Sequence, residues 1–72
     1  MSDLPIALVI YVPIQRGCGY WIAQLCKDGR FMTDQGFAGN NRNEAKQFDT
    51  NHQAFAAVNG QGIDFSDIKE IR

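Results

Sequence analysis

One histidine, two cysteines and three closely spaced carboxylates are the residues in this chain best suited to chemistry. His52 follows Thr50 by two residues, in the first turn of a helix described below. There the positive end of the helix dipole opposes its protonation, which makes it a poor general acid. Cys18 and Cys26 are remote from it in sequence, so a thiolate–imidazole pair has no local basis. Asp64, Asp67 and Glu70 recur every three residues and would share one face of a helix. A metal or acid/base site there would need a cleft, which a chain of 72 residues rarely builds. A solvated acidic edge or a partner contact is the simpler use of that run. Gly17-x-Gly19 lacks the third glycine and the strand–helix setting of a dinucleotide loop, and no phosphate loop with Lys-Ser/Thr occurs. These residues predict no enzyme, no cofactor and no metal site.

Recognition is the remaining use. Trp21, Tyr20 and Tyr11 lie in strand-like segments, where aromatics either fill a core or anchor a partner on an open sheet face. Phe37 stands alone in a polar, glycine-containing stretch, either as a plug folded back on the core or as an exposed anchor. The expected contact residues for a protein partner are therefore Asp64, Asp67, Glu70, Trp21, Tyr20 and Phe37.

The elements that must position these residues can be read along the chain. Leu4 to Ile14 is rich in β-branched residues and apolar at both parities, which predicts a strand covered on both faces. Pro5 and Pro13 sit near its ends, where a missing N–H does least harm. Gln15 to Gly19 forms a hairpin loop, and Tyr20 to Lys27 is the second strand. Asp28-Gly29 fits a two-residue hairpin turn into a third strand, Arg30 to Thr33. Asp34 to Asn43 reads as a loop broken by Gly36, Gly39, Asn40 and Asn41, with a short fourth strand over Glu44 to Phe48. Thr50-x-x-Gln53 matches a capping box, and Gly60 falls where a terminating glycine would sit. Between them Ala54, Phe55, Ala57 and Val58 share one helical face, while His52, Ala56 and Asn59 share the other. In Ile63 to Arg72, the spacing of Phe65, Ile68 and Ile71 suits a short helix, and an edge strand fits equally well. The fold class is α+β: one domain, an antiparallel sheet of three to five strands, one face covered by a single main helix. One helix cannot cover both faces, so the other face stays partly open.

Composition agrees with a single binding domain. Hydrophobic residues make up 44% and charged residues 21%, far from the disorder signature. Residues 1–48 carry five basic and four acidic side chains, and residues 49–72 carry two and four. The basic residues are scattered singly, so the stripe of a nucleic-acid binder is absent. Asp3 occupies the place of a positive signal-peptide n-region, and the apolar run from Ile6 to Val12 is too short to span a bilayer. A cytoplasmic monomer without membrane or direct nucleic-acid contact is expected.

In its size, its hairpin-rich start, its acidic C-terminal third and its one helix, the chain resembles small phage-encoded anti-CRISPR proteins. The helix segment is Phe48-Asp49-Thr50-x-x-x-Ala54-Phe55-x-Ala57-Val58. The nearest likeness is to inhibitors of type I systems, with type I-C the nearest subtype. The resemblance implies a non-enzymatic inhibitor that binds one effector subunit, often at a basic DNA-contacting surface. A second resemblance is to the N-terminal domain of HicB-type antitoxins, through Ala7-Leu8-Val9-Ile10-Tyr11, Gly19-Tyr20-Trp21 and the Thr-led, Ala-rich helix. That likeness implies a domain that covers a small toxin RNase. It departs at Asp34 to Asn43 and lacks the C-terminal DNA-binding segment.

If Cys18 and Cys26 flank a strand, eight steps of about 3.3 Å separate them by roughly 26 Å, well beyond the ~7 Å a disulfide tolerates. Intact mass under non-reducing conditions is expected to match the dithiol, and chelator to leave the melting temperature unchanged. A monomer lighter by two hydrogens would refute the spacing argument.

Overall fold

A computed structural model describes residues 4–72. Asp3, which bears on the signal-peptide reading, lies outside the described residues. Among the described residues, five strands form one sheet in the order β4-β3-β2-β1-β5. They are β1 (Ala7–Val12), β2 (Tyr20–Leu25), β3 (Phe31–Thr33), β4 (Gly36–Gly39) and β5 (Ile68–Ile71), with one helix, α1 (Asn51–Asn59), between β4 and β5. β1 to β4 form an antiparallel meander, and β5 returns beside β1 in parallel, so the sheet is mixed. The α+β class and the single covering helix are as expected.

β1 and β2 pair in full register, from Ala7 opposite Leu25 to Val12 opposite Tyr20. Their loop is fixed by a glycine. The Gly19 N–H donates to the Tyr11 hydroxyl at 3.1 Å. A Cβ on Gly19 would overlap the Val12 carbonyl oxygen and stand 2.8 Å from the Tyr11 ring. The β2–β3 turn is wider than the expected two-residue hairpin. Leu25 N–H bonds the Arg30 carbonyl and Gly29 N–H bonds the Leu25 carbonyl, so Cys26 to Gly29 all lie in the turn. Gly29 adopts φ 76°, which a side chain would strain.

Two further local readings are corrected, and one left open is resolved. The loop expected over Asp34 to Asn43 contains β4, because Asp34-Gln35 makes a tight turn that leaves Gly36 opposite Thr33. The Thr33 hydroxyl secures this turn by accepting from Gln35 N–H and donating to the Gly36 carbonyl. The fourth strand expected over Glu44 to Phe48 reduces to a single bridge between Phe48 and Trp21. Its first residue belongs instead to a short 3-10 turn, Arg42–Glu44, whose Glu44 carboxylate accepts from the Asn40 and Asn41 N–H groups. The ambiguous tail resolves into both alternatives in succession: a 3-10 turn, Phe65–Asp67, then β5.

Helix α1 starts as read. Thr50 caps it by accepting from Gln53 N–H, and the Gln53 amide oxygen reaches back to Asp49 N–H. Gly60 retains helical angles, and the left-handed residue is Gly62, two further on. Ala54 and Val58 are fully buried, Phe55 and Ala57 half-buried, and His52, Ala56 and Asn59 exposed. The helix rests on Ala7, Val9, Ala23 and Ile68, and Trp21, Met32 and Phe48 close the core around it. Small side chains on both surfaces let helix and sheet approach closely.

Phe55 packs its ring against the partly exposed Phe65 at 6.4 Å between centroids. Phe55→Ala is therefore expected to cost about 3 kcal/mol, the low end of the range for buried aromatics. Thr50→Ala is expected to cost about 1 kcal/mol, as for other N-caps. Urea unfolding of both variants checks the order; equal losses would contradict this account of the helix.

Candidate functional site

The residues that could do chemistry are dispersed. Cys18 is exposed in the β1–β2 loop and Cys26 is exposed just past the far end of β2; both are free thiols. His52 lies on the outer side of α1. Asp64 and Asp67 bracket the 3-10 turn, whereas Glu70 lies in β5. The three acids therefore do not share a helical face, because the chain changes from a 3-10 turn to an extended strand between the second and third.

Glu70 has a structural partnership. In register with Val9, it lies on the side of the sheet that faces α1. Its carboxylate accepts from the Asn51 amide at 2.7 Å and from the Arg72 Nε–H at 2.7 Å. Arg72 stacks over the Trp21 ring, 5.5 Å from its centroid. The Arg72 and Asn51 donors hold the Glu70 carboxyl below the ordinary carboxylate value. This network ties the first residue of α1 to the last strand and to the central tryptophan.

Of the aromatic candidates, Trp21 is 7% exposed and lies in the core, tilted against Tyr11 at 5.1 Å. Phe37 is half-buried and packs on the same core, so it is the plug of the two alternatives. Only Tyr20 falls on the other side. Side chains alternate along a strand and paired residues share a face, so the register defines that second face. β1 contributes Leu8, Ile10 and Val12, and β2 contributes Gln24, Ile22 and Tyr20 opposite them. β5 adds Lys69 beside Leu8 and Ile71 beside Ile10. β3 adds Phe31 beside Gln24.

Among the described residues, no helix covers this face. Ile22 at its centre is 1% exposed, crowded by its neighbours, while Leu8, Ile10, Val12, Tyr20, Phe31 and Ile71 are each half-buried. Ile6 and Ile14, just beyond the two ends of β1, are 46% and 47% exposed. A groove lined by Leu4, Pro5, Ile6, Cys26 and Lys27 adjoins one end. β1 is thus not buried on both faces as expected: its odd residues enter the core and its even residues form an uncovered aliphatic surface. Most of these positions were missed because apolar residues at both parities look the same whether the second layer is a helix of this chain or a partner. Lys69 is the only charged side chain among the strand positions of this face, and among the described residues it makes no ion pair. Also among the described residues, no helix is long and apolar enough to cross a membrane.

No protein-family model, curated protein or solved structure matches the chain.

The lowered Glu70 value makes a signed prediction. A carboxylate whose folded pKa lies below its unfolded one stabilises above the unfolded value, and the gain fades as pH falls through the folded value. Glu70→Gln should therefore lower the melting temperature at pH 7, with the gap to wild type closing towards pH 3. A gap that stays constant across that range would show that the charge of Glu70 contributes nothing.

Proposed function

We propose that this chain is a non-enzymatic inhibitor that binds one subunit of a type I CRISPR–Cas effector complex and blocks target DNA binding or cleavage. It would act as a monomer in the cytoplasm of the host bacterium. The observation that supports a binding role is the aliphatic sheet face of β1, β2, β3 and β5, left without a covering layer in a domain otherwise packed on one side. Sheets bury their apolar faces against a second layer, here supplied from outside the chain. The resemblance of the hairpin-rich start and the Thr50-led helix supports the choice of partner. Of the two contact surfaces considered, the sheet face is favoured. Glu70 is engaged with Asn51 and Arg72, so only Asp64 and Asp67 remain for a basic target surface.

One observation favours the antitoxin reading as an alternative. Residues 34–43, where the chain departs from the HicB-like pattern, build β4 at the sheet edge beyond β3. The added strand leaves the β1–β2 hairpin and α1, which carry that resemblance, undisturbed.

Pull-down from a host expressing a type I effector, followed by mass spectrometry and a plasmid-interference assay, tests the proposal. Tyr20→Ala is expected to weaken capture and inhibition while remaining folded. The double reversal Asp64→Lys/Asp67→Lys should mainly slow association at low salt, as rim charges do. Trp21→Ala is unsuitable here, because it opens the core. Recovery of a small RNase in place of effector subunits would establish the antitoxin alternative.

A further inference from the structure

We propose that Asn59 is a site of spontaneous deamidation, and that opening of the last turn of α1 is the gate to the reaction. Asn59 is the one asparagine followed by glycine; Asn40, Asn41, Asn43 and Asn51 are followed by Asn, Arg, Glu and His. That next residue matters because its backbone nitrogen is the nucleophile, and a Cβ beside it hinders the approach. Gly60 has none. Both Asn59 and Gly60 are exposed, so hydroxide and water reach them. The inference is independent of the binding role.

The step balances with water alone. Base removes the Gly60 N–H proton, and the nitrogen attacks the Asn59 Cγ. A new C–N bond closes a succinimide ring as the Cγ–Nδ2 bond breaks, and the side-chain nitrogen leaves as ammonia after taking a proton from water. Water then opens the ring. Attack at the side-chain carbonyl leaves aspartate. Attack at the main-chain carbonyl leaves isoaspartate, with the backbone routed through Cβ.

The fold holds the two reacting groups apart. Gly60 N–H donates to the Ala56 carbonyl at 3.0 Å, which commits the nucleophile to the last turn of α1. The Asn59 amide reaches across the following loop instead of back over its own peptide, and its Nδ2 donates to the Ile63 carbonyl at 3.1 Å. Attack requires both bonds to open together. They close the end of a nine-residue helix, the part of such an element that opens most readily. The product cannot restore this guard. A carboxylate has no N–H to offer the Ile63 carbonyl. It also sets a negative charge at the negative end of a helix whose last turn holds no basic residue. Deamidation therefore removes the side-chain tie in the connection from α1 to β5.

Peptide mapping by mass spectrometry tests this on the full chain held in alkaline buffer, with and without guanidinium chloride. Asn59 is expected to convert ahead of the other asparagines, to a mixture of aspartate and isoaspartate. Conversion in the folded chain should be roughly tenfold slower than in denaturant, the scale of two modest hydrogen bonds. Gly60→Ala suits the right-handed angles of Gly60 and should nearly stop the reaction in both conditions. Thr50→Ala, at the opposite end of α1, should leave the folded rate unchanged. Asn59→Asp should melt below wild type and exchange its Gly60 to Ile63 amides faster. Equal conversion of all asparagines, equal rates with and without denaturant, or an Asn59→Asp variant as stable as wild type would overturn the proposal. So would a Thr50→Ala rate that rises in step with its lost stability, since that places the gate at global unfolding. Should Asn59→Asp fail to fold, the map of the wild-type chain still decides.

Discussion

The structure depends on the seating of one short helix on a floor of small residues. Ala7, Ala23 and Ala54 are fully buried where α1 meets the sheet, with Val9 and Val58 interlocked beside them. A nine-residue helix is about 14 Å long, far too short to supply a core by area alone. Close approach makes up part of the deficit, because dispersion falls off steeply across even a sub-ångström gap. Trp21, Met32 and Phe48 then fill the margins that the helix does not reach. An added methyl at any of the three alanines would lift the helix off the sheet, and overpacking of this kind typically costs about 1–3 kcal/mol. In a domain of this size that is a large share of the total stability.

The short helix also explains where the polar ties fall. Its first turn is held three ways: by the Thr50 cap, by the bridge that pairs Phe48 with Trp21, and by the Asn51–Glu70–Arg72 chain. The last of these joins elements nineteen residues apart in sequence. It is half-exposed, so its energetic worth is modest, yet it sets the position of β5 relative to α1. Near the same end of the sheet, Tyr11 spans from the core to the Gly19 N–H, linking the β1–β2 loop to the ring that packs on Trp21.

How much of this was legible in the sequence follows from the physics of each signal. The Thr50/Gln53 cap and the Ala54, Phe55, Ala57, Val58 face were readable because capping and helical periodicity are local. β4 was not, because Gly36 and Gly39 read as breakers. Gly36 supplies the positive φ that ends the turn, and Gly39 leaves room beside Thr33 and Glu44. The tail defeated periodicity for a related reason. Phe65, Ile68 and Ile71 look like one helical stripe, but Phe65 packs on Phe55, Ile68 enters the core and Ile71 faces the other way. Of the contact residues expected from the sequence, Tyr20 lies on the open face. Trp21, Phe37 and Glu70 serve the fold, since an aromatic or a carboxylate in a strand has the same local signature whichever way its side chain points.

The two faces of the sheet therefore divide the labour of the molecule. On the helix side every residue is held by several neighbours, so a substitution changes the energy of the folded state itself. On the other side the half-buried residues border solvent, yet together they bury Ile22 to 1% exposed. The core under α1 is closed by Ala7, Val9, Ala23 and Ile68, while Ile22 is buried separately on the second face. Leaving Leu8, Ile10, Val12, Tyr20, Phe31 and Ile71 partly against water raises the risk of association. A contiguous aliphatic surface of this kind, flanked by Lys69 in β5, by Asp67 just before it and by Lys27 past the end of β2, is the feature on which the proposed binding role rests.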